Sequence, residues 1–185
     1  MIKEHFAVED NLKNHYLVLI NMILEFKINR MAEIGVYGGH CMRSILRSSA
    51  NTIVREYWAI DQWVAIPWQW KGKEQKDWDA KYREALKYYP WFPQLRILKS
   101  SSVEAAPIFW DGYFDLIYID ADHTYESVVQ DIKAWMPKVR KGGILAGHDY
   151  TPKMRKNHQV KAAVDSFFDV KIINLEKCCV WWVFI

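Results

Sequence analysis

Residues able to do chemistry fall in five short stretches of this chain: Glu33 to Gly39, Asp61, Ser101-Ser102, Asp120 to His123, and His148 to Tyr150. The first is the most informative. Its residues EIGVYGG close an apolar run with glycines, and a helical pattern follows at once. Backbone N–H groups at a helix start lack intrahelical partners and carry positive potential, so a strand–glycine–helix corner can seat an anionic or nucleotide-like ligand. Glycine suits such a corner because a Cβ would block positive φ and hold the ligand at a distance.

Spacing narrows the ligand. A dinucleotide turn reads G-x-G-x-x-G, whereas here the order is E-x-G-x-x-G-G, from Glu33 through Gly35 to Gly38 and Gly39. A carboxylate ahead of the glycines sits badly with a pyrophosphate and suits a cationic amino group. S-adenosylmethionine (SAM) offers an ammonium and a carboxylate there. The alternative is a close-packed corner with no ligand. Asp61 follows about 20 residues later at a strand end, where a carboxylate can accept both hydroxyls of a ribose; otherwise it is a solvated loop aspartate. Ser101-x-x-Glu104 reads as a capping box. Asp120 and Asp122 could cap the next helix, and His123 and His148 could be ordinary surface histidines.

These stretches must be positioned by strands, and the chain supplies them. An opening helix carries Leu12, Tyr16, Leu19, Ile20 and Ile23 at helical spacing. Strand one runs from Met31 into the glycine turn, with a helix through about Ser48. Arg55–Ile60, Leu95–Lys99, Phe114–Ile119 and Gly143–His148 read as four further strands. Helices are predicted around Trp78, Tyr82, Ala85 and Tyr89 up to Pro90, around Val128, Val129, Ile132, Trp135 and Met136 up to Pro137, and around Val160, Ala163, Val164, Phe167 and Phe168. Pro107 keeps the helix after Ser102 short. Val170–Leu175 and Cys179–Ile185, joined by a turn at Glu176-Lys177, can only be antiparallel, since a parallel pair needs a long crossover. The fold class expected is α/β: a three-layer Rossmann-like arrangement with a mostly parallel seven-stranded sheet and an antiparallel C-terminal hairpin. All five polar stretches then follow strand C-terminal ends, the edge where open α/β sheets bind ligands.

Bulk properties bound the rest. The 185 residues suffice for one domain, 1–185, with a full core. A net charge of +3 from 25 basic and 22 acidic residues gives no footprint for nucleic acid. Cys41, Cys178 and Cys179 lack zinc-type spacing, and a reducing cytoplasm is the expected location. The apolar run Leu17–Leu24, broken by Asn21, is too short to span a membrane. Aromatic content is high, with 10 Trp, and much of it falls between Trp58 and Phe92, largely in the segment 62–93. That segment reads either as cover for one sheet edge or as a lid over substrate, and the surplus leaves room for a homo-oligomer interface.

Taken with their order, AEIGVYGGH, YWAIDQW, FDLIYIDADHTYESVVQDIKAW and KGGILAGHDY resemble class I SAM-dependent methyltransferases. More narrowly they resemble the small O-methyltransferases related to macrocin and mycinamicin O-methyltransferases and to cephalosporin-hydroxylase-like proteins. The resemblance implies methyl transfer to a hydroxyl of a small molecule, such as a sugar or glycan precursor. It places Glu33, Gly35, Tyr37, Gly38 and Gly39 around the methionine part of SAM, Asp61 and Gln62 at the ribose, and Ser101 and Ser102 on the adenine side. It implies a divalent cation, Mg²⁺ foremost, on Asp120, Asp149 and His148, and His123 as base. Asp120 also borders the cofactor. Tyr150 stands where catechol-type enzymes have the Asn that follows the second aspartate. Two other classes remain: an NAD(P)-binding oxidoreductase, disfavoured by the missing third glycine and the hairpin, and a non-catalytic SAM-binding relative in a biosynthetic complex.

Overall fold

The computed structural model describes residues 14–65, 72, 74–151, 159–169, 174–175 and 178–185. Helix α1 (His15–Phe26) leads into β1 (Arg30–Ile34), the glycine turn and α2 (His40–Leu46). Then come β2 (Glu56–Asp61), α3 (Gln75–Leu86), β3 (Leu95–Lys99) and the short α4 (Ser102–Ala105). β4 (Phe114–Ile119), α5 (Tyr125–Trp135), β5 (Val139–Gly147), α6 (Val160–Asp165), the two-residue β6 (Asn174–Leu175) and β7 (Trp181–Phe184) complete the chain.

Sheet order is β3-β2-β1-β4-β5-β7-β6. β1 to β5 are parallel, while β7 runs antiparallel to both β5 and β6. The order expected from the sequence is therefore present as six strands, with β6 as a minimal seventh at the edge. Most of the hairpin's first arm, Val170–Ile173, and the turn at Glu176-Lys177 lie outside the described residues.

Alternation along the strands divides the core into two layers. Met31, Tyr57, Leu116, Tyr118 and Ile144 pack with α1 and α2 on one face. Ala32, Ile34, Ile60, Ile117 and Leu145 pack with α5 and α6 on the other. Period-2 burial on both faces is what a parallel sheet sandwiched by helices requires. The buried stripe of α1 is Val18, Leu19, Met22 and Ile23, one residue round from the expected stripe, with Tyr16 and Ile20 only partly buried. Leu12 lies outside the described residues.

β5 begins at Val139 rather than at Gly143. Its pairing with β4 shifts register between Phe114 and Leu116, so the Gly142-Gly143 pair lets the strand pass an irregularity instead of starting it. Ser101 stands at the N-cap of α4, but its hydroxyl bonds the Glu104 carboxylate at 2.6 Å rather than a backbone N–H, so the expected capping box is replaced by a side-chain pair. Among the described residues no helix is long and apolar enough to cross a membrane.

At the β5–β7 seam, Gly147 pairs with Trp181, which is fully buried. A Cβ on Gly147 would meet the Trp181 indole nitrogen at 2.6 Å. Gly147→Ala is expected to cost about 2 kcal/mol by overpacking, read as a lower urea midpoint; an unchanged midpoint would show that β7 is not seated there.

Candidate active site

Parallel pairing brings five strand ends to one edge, and single backbone bonds fix the loops that leave them. Gly35 N–H donates to Ile60 O at 2.9 Å, Asp120 N–H to Ile34 O at 2.7 Å, and His148 N–H to Ile119 O at 3.1 Å. The strand order reverses between β1 and β4, so this edge contains the switch point at which α/β sheets open a crevice. Gly35 has φ +94°, and a Cβ there would stand 2.2 Å from the Asp120 carbonyl oxygen. Its missing side chain allows the β1 and β4 loops to touch.

Asp61 braces the glycine turn. Its Oδ2 accepts from Val36 N–H at 2.9 Å and Tyr37 N–H at 2.8 Å, and its Oδ1 from Trp63 N–H at 2.8 Å. The anion predicted for this turn is thus, in part, the protein's own carboxylate. Tyr37 is held at φ 51°, a costly conformation for a side-chain-bearing residue. Asp61 takes its N–H, and the Trp63 indole N–H donates to its carbonyl at 2.7 Å. The Tyr37 ring meets Trp78 edge-on at 5.6 Å, with the Lys81 ammonium 4.8 Å from its centroid. Gly39 is the N-cap of α2, and Gly38 lies beside Lys81 and Glu84 of α3. The described part of the aromatic segment therefore walls the turn, Trp63 and Trp78 being buried. Gln62, half-buried, follows Asp61 on the same loop. Pro67, Trp68 and Trp70, on which the lid reading depends, lie outside the described residues.

Glu33 does not line the edge. It shares the inward face of β1 with Met31, is 2% exposed, and accepts a 2.5 Å hydrogen bond from the Tyr57 hydroxyl. Burial raises its pKa to about 8, against the lowering effect of the Tyr57 bond and with nearby Asp120 and Asp61 adding to the rise. Ser102 is likewise engaged inward: its hydroxyl donates to Asp131 and accepts from the Trp135 indole N–H at 2.9 Å. Asp131, 4% exposed, has its pKa raised to about 6 by burial, partly offset by the Ser102 bond. Asp131 was not marked by its type, but its place was legible: residues 128, 131, 132 and 135 share one helical face.

The densest polar group joins the loops after β4 and β5. One donor atom each from Asp120, His123 and Asp149 lies within 4.8 Å of the others, enough to hold a divalent cation. His123 Nε2 is 3.0 Å from Asp149 Oδ2 and 3.8 Å from Asp120 Oδ1. Burial alone would lower the pKa of His123, but the neighbouring Asp120 and Asp149 carboxylates outweigh it and lift it to about 9. The two histidines hold the Asp149 carboxyl far below the usual carboxylate range. His148 Nδ1 approaches Asp120 at 3.7 Å and Asp149 at 3.5 Å. Of the two alternative helix caps, Asp122 bonds Thr124 N–H at 2.7 Å just before α5, and Thr124 is the N-cap, so Asp120 is left to the cluster. The Tyr150 hydroxyl donates to Asp165 at 2.6 Å. His15 belongs to none of the five polar stretches, yet its ring stands 4.8 Å from that of His148. Burial and the His148 charge lower its pKa. The signal was its register with the stripe 15, 18, 19, 22, 23. A 10 Å³ cavity, near the space of one water, touches Asp120, His123 and His148. A larger hollow of about 430 Å³ lies at the opposite, N-terminal ends of β2 and β3, away from this chemistry.

A family profile described as a methyltransferase domain matches residues 32–150. Among solved structures, a putative caffeoyl-CoA O-methyltransferase from Staphylococcus aureus is 12% identical, with TM-score 0.67, covering 92% of this chain and 82% of that one. The O-methyltransferase NovP is 21% identical, with TM-score 0.64, covering 91% and 77%. A Podospora anserina methyltransferase, PaMTH1, solved with S-adenosylhomocysteine (SAH), is 16% identical, with TM-score 0.64 and coverage of 92% and 77%. At these identities they establish the shared fold. An uncharacterized Sinorhizobium fredii protein, y4gI, is 23% identical over 124 residues, which are 65% of this chain but only 13% of that relative.

Two outcomes follow from the buried and bracing acids. The folded pKa of Glu33 lies above its unfolded value, so the stability it contributes is full below about pH 4.5 and is lost as pH rises to about 8. Glu33→Gln should flatten the fall in unfolding free energy between pH 5 and 8 by about 1 kcal/mol per unit; parallel slopes for variant and wild type in urea titrations would refute the burial argument. Asp61→Ala leaves three N–H groups without their acceptor and is expected to cost about 2 kcal/mol, whereas a solvated loop aspartate would cost under about 0.5 kcal/mol.

Proposed function

The chain belongs to the methyltransferase-domain family, and from that premise we propose that it transfers the methyl group of SAM to a hydroxyl of a small molecule, assisted by a divalent cation. One observation carries the reading: Asp120, His123 and Asp149 converge at the switch point, next to the loop contact that Gly35 makes with Asp120.

In this reading the braced turn from Gly35 to Gly39 borders the methionine part of the donor. Asp61 Oδ1 accepts one bond in the structure, and a carboxylate oxygen can accept two, so a ribose hydroxyl lies within its capacity. Glu33 acts from beneath, as a buried acid under the turn. Ser101 and the backbone at Ser102 border the adenine side, the Ser102 hydroxyl being turned to Asp131. A dinucleotide draws no support here, because the Val36 and Tyr37 amides meet Asp61 rather than a phosphate.

Transfer from a sulfonium is an in-line displacement, so alignment of the acceptor oxygen with the methyl carbon supplies much of the rate. Asp120 and Asp149 would hold the cation, for which their hard oxygens and spacing are suited. When bound, such an ion lowers the pKa of a hydroxyl and orients it. Two carboxylates facing His123 favour its protonated form while no cation is bound, and a cation held by Asp120 and Asp149 would remove that bias.

The test is methyl transfer from labelled SAM to a panel of hydroxylated acceptors, with SAH affinity measured by calorimetry. Asp149→Ala is expected to reduce turnover by about 100-fold or more while SAH affinity stays within about threefold. Absence of SAH binding by the wild-type protein would sink the reading.

A further inference from the structure

We propose that the cation centre is a mixed nitrogen–oxygen site, with His123 and His148 ligating beside Asp120 and Asp149, and that it favours first-row transition ions over Mg²⁺. The inference rests on the divalent-cation part of the proposed function and specifies the ion class and the ligands.

The orientation of His148 is the leading observation. Its Nε2 lies 3.1 Å from the Cys178 carbonyl oxygen. A carbonyl can only accept, so Nε2 carries the hydrogen and Nδ1 is the nitrogen turned to Asp120 and Asp149. A ring whose far N–H is anchored on a backbone carbonyl while its near nitrogen faces carboxylates has the arrangement of a metal-ligating histidine with its outer-shell partner. His123 presents Nε2 to the same two oxygens at 3.0 and 3.8 Å.

His123 Nε2 and His148 Nδ1 therefore each approach the same two carboxylates, from loops that follow adjacent parallel strands and are pinned by the Asp120 and His148 backbone bonds. Ligands about 2.1 Å from an ion stand about 3 Å apart at right angles, so 3.0 to 3.8 Å is near closure. The neighbour on the other side of Asp149 offers no third oxygen, since the Tyr150 hydroxyl is bound to Asp165 and the residue is 5% exposed. Imidazole nitrogens suit the later first-row ions, whereas Mg²⁺ favours oxygen and retains water.

Pulsed electron paramagnetic resonance on the chelator-stripped protein loaded with one equivalent of Mn²⁺ tests this directly. Two ¹⁴N couplings are expected in the wild type and one in either His123→Gln or His148→Gln, with Mn²⁺ affinity at least about tenfold lower in each variant. Mg²⁺ should displace the Mn²⁺ only at more than about 100-fold excess. Bound Mn²⁺ without nitrogen coupling overturns the mixed site yet leaves an oxygen-held cation; no Mn²⁺ binding overturns the cation reading as well. SAH binding by the stripped protein reports the donor site separately. Should a variant fail to fold, the wild-type couplings decide alone.

Discussion

Two ionised carboxylates on neighbouring loops repel one another unless positive charge lies between them, and this constraint organises the functional edge. Asp120 and Asp149 come within reach of the same imidazole nitrogens, with His123 and His148 supplying the compensation. Asp149 adopts φ 57°, a conformation that a non-glycine residue keeps only when its surroundings insist on it. The sheet provides that insistence: β4 and β5 are paired in register up to Ile119 and Gly147, so the loops that leave them start side by side.

The same economy appears on the other side of the switch point. A glycine turn with exposed amides would be attractive to any anion and poorly defined without one. Asp61 removes that ambiguity by bonding two of the amides, and Trp63 holds Tyr37 from the opposite side. The aromatic excess of residues 62–93 has a local use here, because the rings of Trp63, Trp78 and Tyr82 pack between α3 and the turn. The turn is pre-shaped before a ligand arrives, which lowers the ordering cost of binding.

Buried acids beneath the edge act against stability. Glu33 and Asp131 are nearly inaccessible; the Tyr57 hydroxyl and the Cys41 thiol serve the first and the Ser102 hydroxyl the second in place of water. Burying a carboxyl favours its neutral form, so both groups lean toward protonation and both weaken the fold as pH rises. Sites of this kind commonly trade stability for pre-organisation.

How much was legible in the sequence depended on whether the signal was local. Strand limits at Leu95–Lys99 and Phe114–Ile119 follow directly from apolar runs, and the antiparallel pairing of β6 with β7 follows from a connection too short for a crossover. Parallel strands share one C-terminal edge, so the gathering of Asp61, Asp120 and Asp149 there was determined once the order of elements was read. Side-chain direction was not. Glu33 and Ser102 lie in the expected stretches, but the pleat of β1 turns the first into the core and the packing of α5 draws the second inward. His15 and Asp131 were hidden because their roles depend on residues 133 and 29 positions away, His148 and Ser102. Periodicity tells which face a residue joins; only the packed structure decides what stands opposite it, because that partner comes from another part of the chain.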